Sequence, residues 1–227
     1  MTHAPQPAAD PQDEDAHPDA ADQPDVRIKL LSAGLGEFAR YGFGGARLER
    51  MAAEAGCAKR MIYYYFGNKR DAYLAVLEWA YGEIRASEQR LNLDTLPPRD
   101  ALRALATQSF RYHEENADFT RLVLQENLQR GEMLQQVPSV SHLRHAALEP
   151  LAAILARGVA SGDFRPGPTA EDMHYLISAM SSFRVDHAHT WKSVLEIDLL
   201  HDPARSRHLQ LLLDQIDAMT GWTPGQG

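Results

Sequence analysis

One stretch of twenty residues, 47–66, restricts the chain more than any other: RLERMAAEAGCAKRMIYYYF. Leu48, Met51, Ala52 and Ala55 recur at spacings of three and four, which is one face of a helix. Gly56 stands where the chain must reverse, and glycine enters the left-handed backbone region without steric penalty. The spacing predicts a second short helix over about 58–66, with Ile62 and Phe66 turned inward. Lys59, Arg60, Met61, Tyr63, Tyr64 and Tyr65 share its other directions. Helix, tight turn and helix is the arrangement that presents its second helix to the major groove of DNA.

A net charge of −8 argues against a nucleic-acid partner until its distribution is considered. Residues 1–25 hold seven acidic side chains and no Lys or Arg, for −7. Residues 26–70 hold nine Lys/Arg against three Glu, for +6, and residues 71–227 return to −7. Exposed charges are screened beyond roughly 8–10 Å at physiological salt, so phosphate attraction is local and follows the basic segment.

The remaining pattern is helical throughout, and the expected fold class is all-α. Residues 1–24, rich in Ala, Asp, Gln and Pro, cannot bury enough surface to offset their chain entropy and are expected to be a disordered acidic tail. Residues 25–70 are expected to form the helix-turn-helix domain. Its first helix carries a stripe of Ile28, Leu31, Leu35 and Phe38 and breaks at Gly42, Gly44 and Gly45. Residues 71–222 are expected to form a larger helical domain. Asn68 caps a long linking helix to about residue 91, with Lys69 and Arg70 in its first turn. Two cations there oppose the helix dipole, which a phosphate bridged by Lys69 and the helix amides would explain. Further helices are expected over 98–116, 118–130 and 141–161, over 169–186 capped by Thr169, near 191–199, and from Asp202-Pro203 onward. In the last of these, Leu209, Leu212, Leu213, Ile216 and Met219 form an apolar stripe. Two such helices from each of two chains make a four-helix bundle, so a homodimer through about 169–186 and 203–219 is expected. The single Cys57, the lack of a secretory pattern and the lack of an eighteen-residue apolar run point to the cytoplasm and to no membrane span.

Residues 28–81, IKLLSAGLGEFARYGFGGARLERMAAEAGCAKRMIYYYFGNKRDAYLAVLEWAY, resemble the DNA-binding domain of the tetracycline-repressor (TetR) family. The match includes Phe38, Tyr41-Gly42-Phe43, Met51-Ala52, Ala55-Gly56, Tyr63, Phe66 and Asn68-Lys69. The resemblance implies that Tyr63 and Lys69 hold phosphates of double-stranded DNA. Positions 59–61 and 64–65 would face base edges or nearby backbone, and Arg47 stands at a capping and phosphate-contact position. The family often has Thr at the position of Arg47 and Ser at that of Ala58. Without that Ser the recognition helix lacks a side-chain cap, worth about 0.5–2 kcal/mol.

The resemblance further implies a regulator released from a near-palindromic operator by a small-molecule ligand, with no cofactor and no enzymatic activity. An activator and a ligand-independent DNA-binding protein are the alternatives. Candidate ligand-binding residues are polar or aromatic groups on otherwise apolar helices: Phe110, His113, Phe119, Glu126, Asn127, Met133, His174, Tyr175, Phe183, Arg184 and Trp191. Each also fits plain packing. Arg184 is a partner for an anionic ligand or for an acidic neighbour such as Asp186 or Glu126. His142 and His145, and His187 and His189, lack a Cys or carboxylate cluster to complete a metal set, so no metal is expected.

Overall fold

The computed structural model describes residues 23–221, which form ten α-helices and no strand. The expected acidic tail therefore lies outside the described residues, except for its last two, which already open the first helix. The helices are α1 (Gln23–Gly45), α2 (Leu48–Glu54), α3 (Arg60–Phe66), α4 (Lys69–Gln89), α5 (Pro98–Glu115), α6 (Ala117–Leu128), α7 (Val140–Ser161), α8 (Ala170–Asp186), α9 (Ala188–Leu195) and α10 (Ala204–Thr220). Among the described residues no helix is long and apolar enough to cross a membrane.

Local signals set most boundaries. Gly42 sits at φ 63° and kinks α1 where the glycines were expected to break it. Gly56, at φ 68°, reverses the chain between α2 and α3. Asn68 caps α4 by accepting from the Asp71 amide at 2.9 Å. Thr169 and Asp172 cap α8 reciprocally. The short helix expected near 191–199 instead covers Ala188–Leu195, because Glu196 takes a left-handed conformation and ends it.

Two apolar clusters organise the body, and their division does not fall at residue 70. The first joins α1, α2, α3 and α4 to Phe119 and Leu122 of α6 and to Val137 beyond it. The second is built by α5, α7, α8 and α10, with Phe110, Ile154, Met173 and Leu212 deep inside. Asp217 near the end of α10 binds Arg99 through both oxygens, at 3.1 and 2.8 Å, and Arg103 at 2.8 Å, clamping α10 to the start of α5. The α1 stripe needs one correction. Leu31 and Phe38 are buried, but Ile28 is 53% exposed. Val26 and Leu30 on either side of it pack into the core, so Ile28 lies off the buried face of α1 and lines an open cleft instead.

Between α4, α5 and α8 lies a buried polar group. Arg85 and Glu88 pair at 2.7 Å. His113 contacts Thr120 Oγ1 through Nδ1 at 2.9 Å. Burial, together with Arg85 and His174, pushes His113 down to about 4. Burial pushes Glu88 up to about 7 against the pull of Arg85. The signs are opposite. As pH falls, the unfolded chain protonates His113 first, so stability is lost below about pH 6.5. The folded chain protonates Glu88 first, so stability is gained from pH 7 down to about 4.5. Wild-type stability is therefore expected to change little between pH 7 and 5. His113→Gln removes the largest opposing imidazole, and its stability relative to wild type, read from denaturant midpoints, should then rise as pH falls through that window, by an amount on the order of 1–3 kcal/mol.

Candidate nucleic-acid interface

Glu37 of α1, which sequence reasoning passed over, prepares the entrance to the motif. Its Oε1 accepts from the Arg47 amide at 2.6 Å, and Arg50 holds it with Nε at 3.0 Å and Nη2 at 2.5 Å. Arg47 itself makes no side-chain cap to α2. A carboxylate ten residues away thus accepts from the N-cap's own amide, the part an acidic side chain plays in a capping box, while the amides of the first turn of α2 have no side-chain cap and the Arg47 side chain stays exposed. Arg50 also lies over the Tyr41 ring, 4.2 Å from its centroid, which fixes the end of α1 against α2.

Helix α3 is shorter than expected and begins at Arg60. Lys59 is its N-cap residue and provides no side-chain cap, consistent with Ala58 standing where a serine is usual. Ile62 and Phe66 are buried, as their spacing requires. Arg60, Tyr63 and Tyr64 face solvent, the two tyrosines at 47% and 65% exposure. Lys59 is exposed as well, bridged to Glu49 of α2 at 2.5 Å and 5.6 Å from the centre of the Tyr63 ring. The Glu49 hydrogen bond raises the Lys59 ammonium above its usual range, so it stays charged. Exposed pairs of this kind contribute little, and a phosphate can displace Glu49. Met61 and Tyr65 pack partly against the domain core, with Tyr65 edge-on to Tyr64 at 5.1 Å.

Lys69, the first residue of α4, reaches back to the Gly44 carbonyl at 3.5 Å and sits 5.0 Å from the Phe43 ring centroid. This places its ammonium beside the α1–α2 turn that also carries Arg47. Arg70 turns the other way and bonds the Gln136 side chain. The two cations do not oppose the helix dipole alone: Asp71 is also in the first turn and receives the Asn68 side-chain amide at 2.7 Å. The six side chains Arg47, Lys59, Arg60, Tyr63, Tyr64 and Lys69 border the turn and the outer side of α3. Among them are four cations and two phenols, suited to phosphates and to base edges.

The eleven candidate ligand-binding residues do not converge on one cavity. Phe119 and Met133 pack with the helix-turn-helix core. Glu126 is buried there too, accepting from Tyr73 at 2.6 Å and from the Leu134 amide at 2.8 Å. Phe110, His113 and Arg184 are buried between α5 and its neighbours, with His174 half-buried one helix away. Asn127, Tyr175 and Phe183 are exposed. Phe183 stacks on His187 at 4.0 Å and meets Trp191 edge-on at 5.9 Å. Arg184 pairs with neither Asp186 nor Glu126 but with Glu114, at 3.1 Å, because α5 runs alongside α8. An open cleft of about 1390 Å³ between α1, α2, the start of α6 and His189 is lined by none of the eleven.

Comparison with known proteins agrees with this geometry. Residues 30–76 match the model of bacterial regulatory proteins of the tetR family, and residues 98–216 match the tetracycline-repressor-like C-terminal domain. The HTH-type transcriptional repressor NicS of Pseudomonas putida is 31% identical over 189 residues, covering 83% of this chain and 89% of that protein. The HTH-type transcriptional repressor SCO4008 of Streptomyces coelicolor is 29% identical, covering 73% and 81%. Among solved structures, the putative regulator SCO4942 of Streptomyces coelicolor superposes with a TM-score of 0.62 at 22% identity, covering 86% of this chain and 97% of that one. FadR of Bacillus subtilis, solved in complex with stearoyl-CoA, superposes with a TM-score of 0.61 at 21% identity, covering 82% and 97%. The exposed basic and phenolic face on α3, the kinked α1 that supports it and both halves of the helical body lead to one assignment: the chain belongs to the TetR family of bacterial DNA-binding transcriptional regulators.

Proposed function

We propose that the chain is a transcriptional repressor that binds a near-palindromic operator as a homodimer and leaves it when a small molecule binds the helical body. The observation that carries the DNA half is the solvent-facing set Lys59, Arg60, Tyr63 and Tyr64 on a helix whose other face, Ile62 and Phe66, is locked into the core. Exposed apolar side chains on the two helices expected to dimerise support the second half. Tyr175 and Phe183 on α8 and Leu211 on α10 are exposed, at 75%, 43% and 44%. Such surface is ordinarily buried against a partner, and a twofold pairing of α8 and α10 fits it. A dimer reads two half-sites, with centres about one helical turn or a multiple apart. Repression is supported by the similarity to NicS and SCO4008, both transcriptional repressors. Response to a ligand is supported by a chain of the same fold, FadR, being found in complex with one.

Selection of genomic DNA by the purified protein tests this reading. It should return a near-palindrome, and the protein should elute from size exclusion as a dimer. Lys69→Ala is expected to weaken all sequences alike and to reduce the salt slope of binding by about one. Arg60→Ala is expected to relax base preference at one position of each half-site, by about 1–3 kcal/mol. Equal loss across a randomised operator library for Arg60→Ala would show that this arginine holds backbone and reads no base.

A further inference from the structure

Arg184, near the end of α8, has a side chain only 3% exposed. Its Nη2 donates to Glu114 Oε2 at 3.1 Å and to the Leu199 carbonyl at 3.0 Å, and its guanidinium lies 3.8 Å from the centroid of the Phe110 ring. A guanidinium has five N–H donors. The three on Nε and Nη1 are buried with no acceptor. One turn earlier on the same face of α8, Ser181 is completely buried and its Oγ also has no partner. Nor is Glu114 reserved for Arg184. Arg205 of α10 reaches both carboxylate oxygens through Nε, at 2.8 and 3.0 Å. Two guanidiniums thus share one buried-side carboxylate, while the exposed Asp202 and Glu115 act on Arg205. His208, half-buried, is held below its ordinary value by burial and by the charges of Arg207 and Arg184. Around Arg184, where α5, α8 and the segment before α10 meet, buried donors therefore outnumber the acceptors they reach. Such donors are destabilising when left unmet, and a charged group is the worst case.

We propose that Arg184 and Ser181 anchor an acidic effector, whose carboxylate accepts from the free guanidinium N–H groups and from the serine hydroxyl. This rests on the effector-responsive reading above and adds the chemical class of the ligand. A carboxylate there would face the Glu114–Arg205 pair that ties α10 to the end of α5. That end turns directly into α6, which packs on α1 and meets α4 through Tyr81–Phe119 and Tyr73–Glu126. Occupancy would thus bear on both the helix expected to dimerise and the base of the DNA-binding domain.

The test uses the full chain with acetate, propionate and benzoate, each against its neutral amide and against chloride at equal ionic strength, by calorimetric titration and thermal melting. At least one carboxylate should bind about tenfold or more tightly than its amide, as expected where a charge-assisted hydrogen bond is replaced by a neutral one. Arg184→Met should abolish that binding. Because Glu114 keeps Arg205 and three unmet donors disappear, the free variant should melt within about 4 °C of wild type. Ser181→Ala should keep the wild-type melting temperature and weaken binding about threefold or more, and it decides the matter should Arg184→Met fail to fold. Binding by none of the three acids, binding unchanged in the variants, or a response matched by chloride (an adventitious ion only) overturns the proposal. Operator release is read separately. Release by a compound indifferent to Arg184→Met keeps the effector-responsive reading and sinks the anchor. Carboxylate binding without any effect on operator keeps the anchor and sinks that reading.

Discussion

Gly158→Ala is expected to lower the melting temperature by roughly 6–12 °C, the equivalent of about 3 kcal/mol. A Cβ on Gly158 would stand 2.0 Å from Cδ2 of Phe164, 2.4 Å from Cε2 and 2.5 Å from Cγ. No rotamer of a neighbouring chain end relieves that overlap, since the obstacle is the ring itself. Nor can the ring withdraw. Phe164 is buried in the α5–α7–α8–α10 cluster, and its amide donates to the Gly158 carbonyl at 3.0 Å. The next residue, Arg165, donates its amide to Thr220 of α10 at 2.8 Å, so the loop is held at both sides. The glycine is therefore required by close approach and not by backbone conformation, unlike Gly162 four residues later at φ 82°. Phe164→Leu in the Gly158→Ala background should recover part of the loss, and a non-additive double-mutant cycle by calorimetry would show it. Simple addition of the two single-variant losses would mean that the overlap is relieved elsewhere.

What was legible in the sequence shares one property: it is local. Gly56, Asn68, Thr169 and the Ile62/Phe66 pair act within a turn or a few residues, and periodicity and capping chemistry read them directly. The family motif added Tyr63 and Lys69 through a contiguous match, and the structure sets both beside the exposed side of the motif. What was not legible depends on partners far along the chain. Glu37 takes the Arg47 amide from ten residues away, Arg184 finds Glu114 seventy residues away, and Phe164 fills the space at Gly158 only because the loop folds back. Spacing within one helix carries no record of which other helix it meets. Ile28 failed for a related reason: its period is right, but the buried face of α1 is set by the helices it meets, and that face runs through Val26 and Leu30 and leaves Ile28 on the open cleft.

Glu126→Ala is expected to cost about 2–3 kcal/mol, because it strands the buried Tyr73 hydroxyl, worth about 1–3 kcal/mol when unmet, and also frees the half-buried Leu134 amide. Glu126 is 2% exposed and accepts from the Tyr73 hydroxyl at 2.6 Å and from the Leu134 amide at 2.8 Å. Burial and the Glu126 carboxylate together hold the Tyr73 phenol far above its ordinary range, so it remains a donor at any working pH. Glu126→Gln should lose much less, about 1 kcal/mol. Its carbonyl oxygen can still take the buried Tyr73 hydroxyl, and only the half-buried Leu134 amide, now facing the NH₂, is left to find another acceptor. The consequence extends to DNA. The Tyr73 ring is packed edge-on by Phe38 at 4.7 Å and by Phe43 at 5.3 Å, and the Phe43 ring is the surface on which the Lys69 ammonium rests. Releasing the Tyr73 hydroxyl loosens the floor beneath a phosphate contact without touching the outer face of α3. Operator affinity of Glu126→Ala, measured below its melting transition, should therefore fall several-fold, on the order of 1 kcal/mol. The base preference set by Arg60 should stay unchanged. A shift in base preference, or wild-type affinity in a folded Glu126→Ala protein, would show that Lys69 is positioned independently of Tyr73.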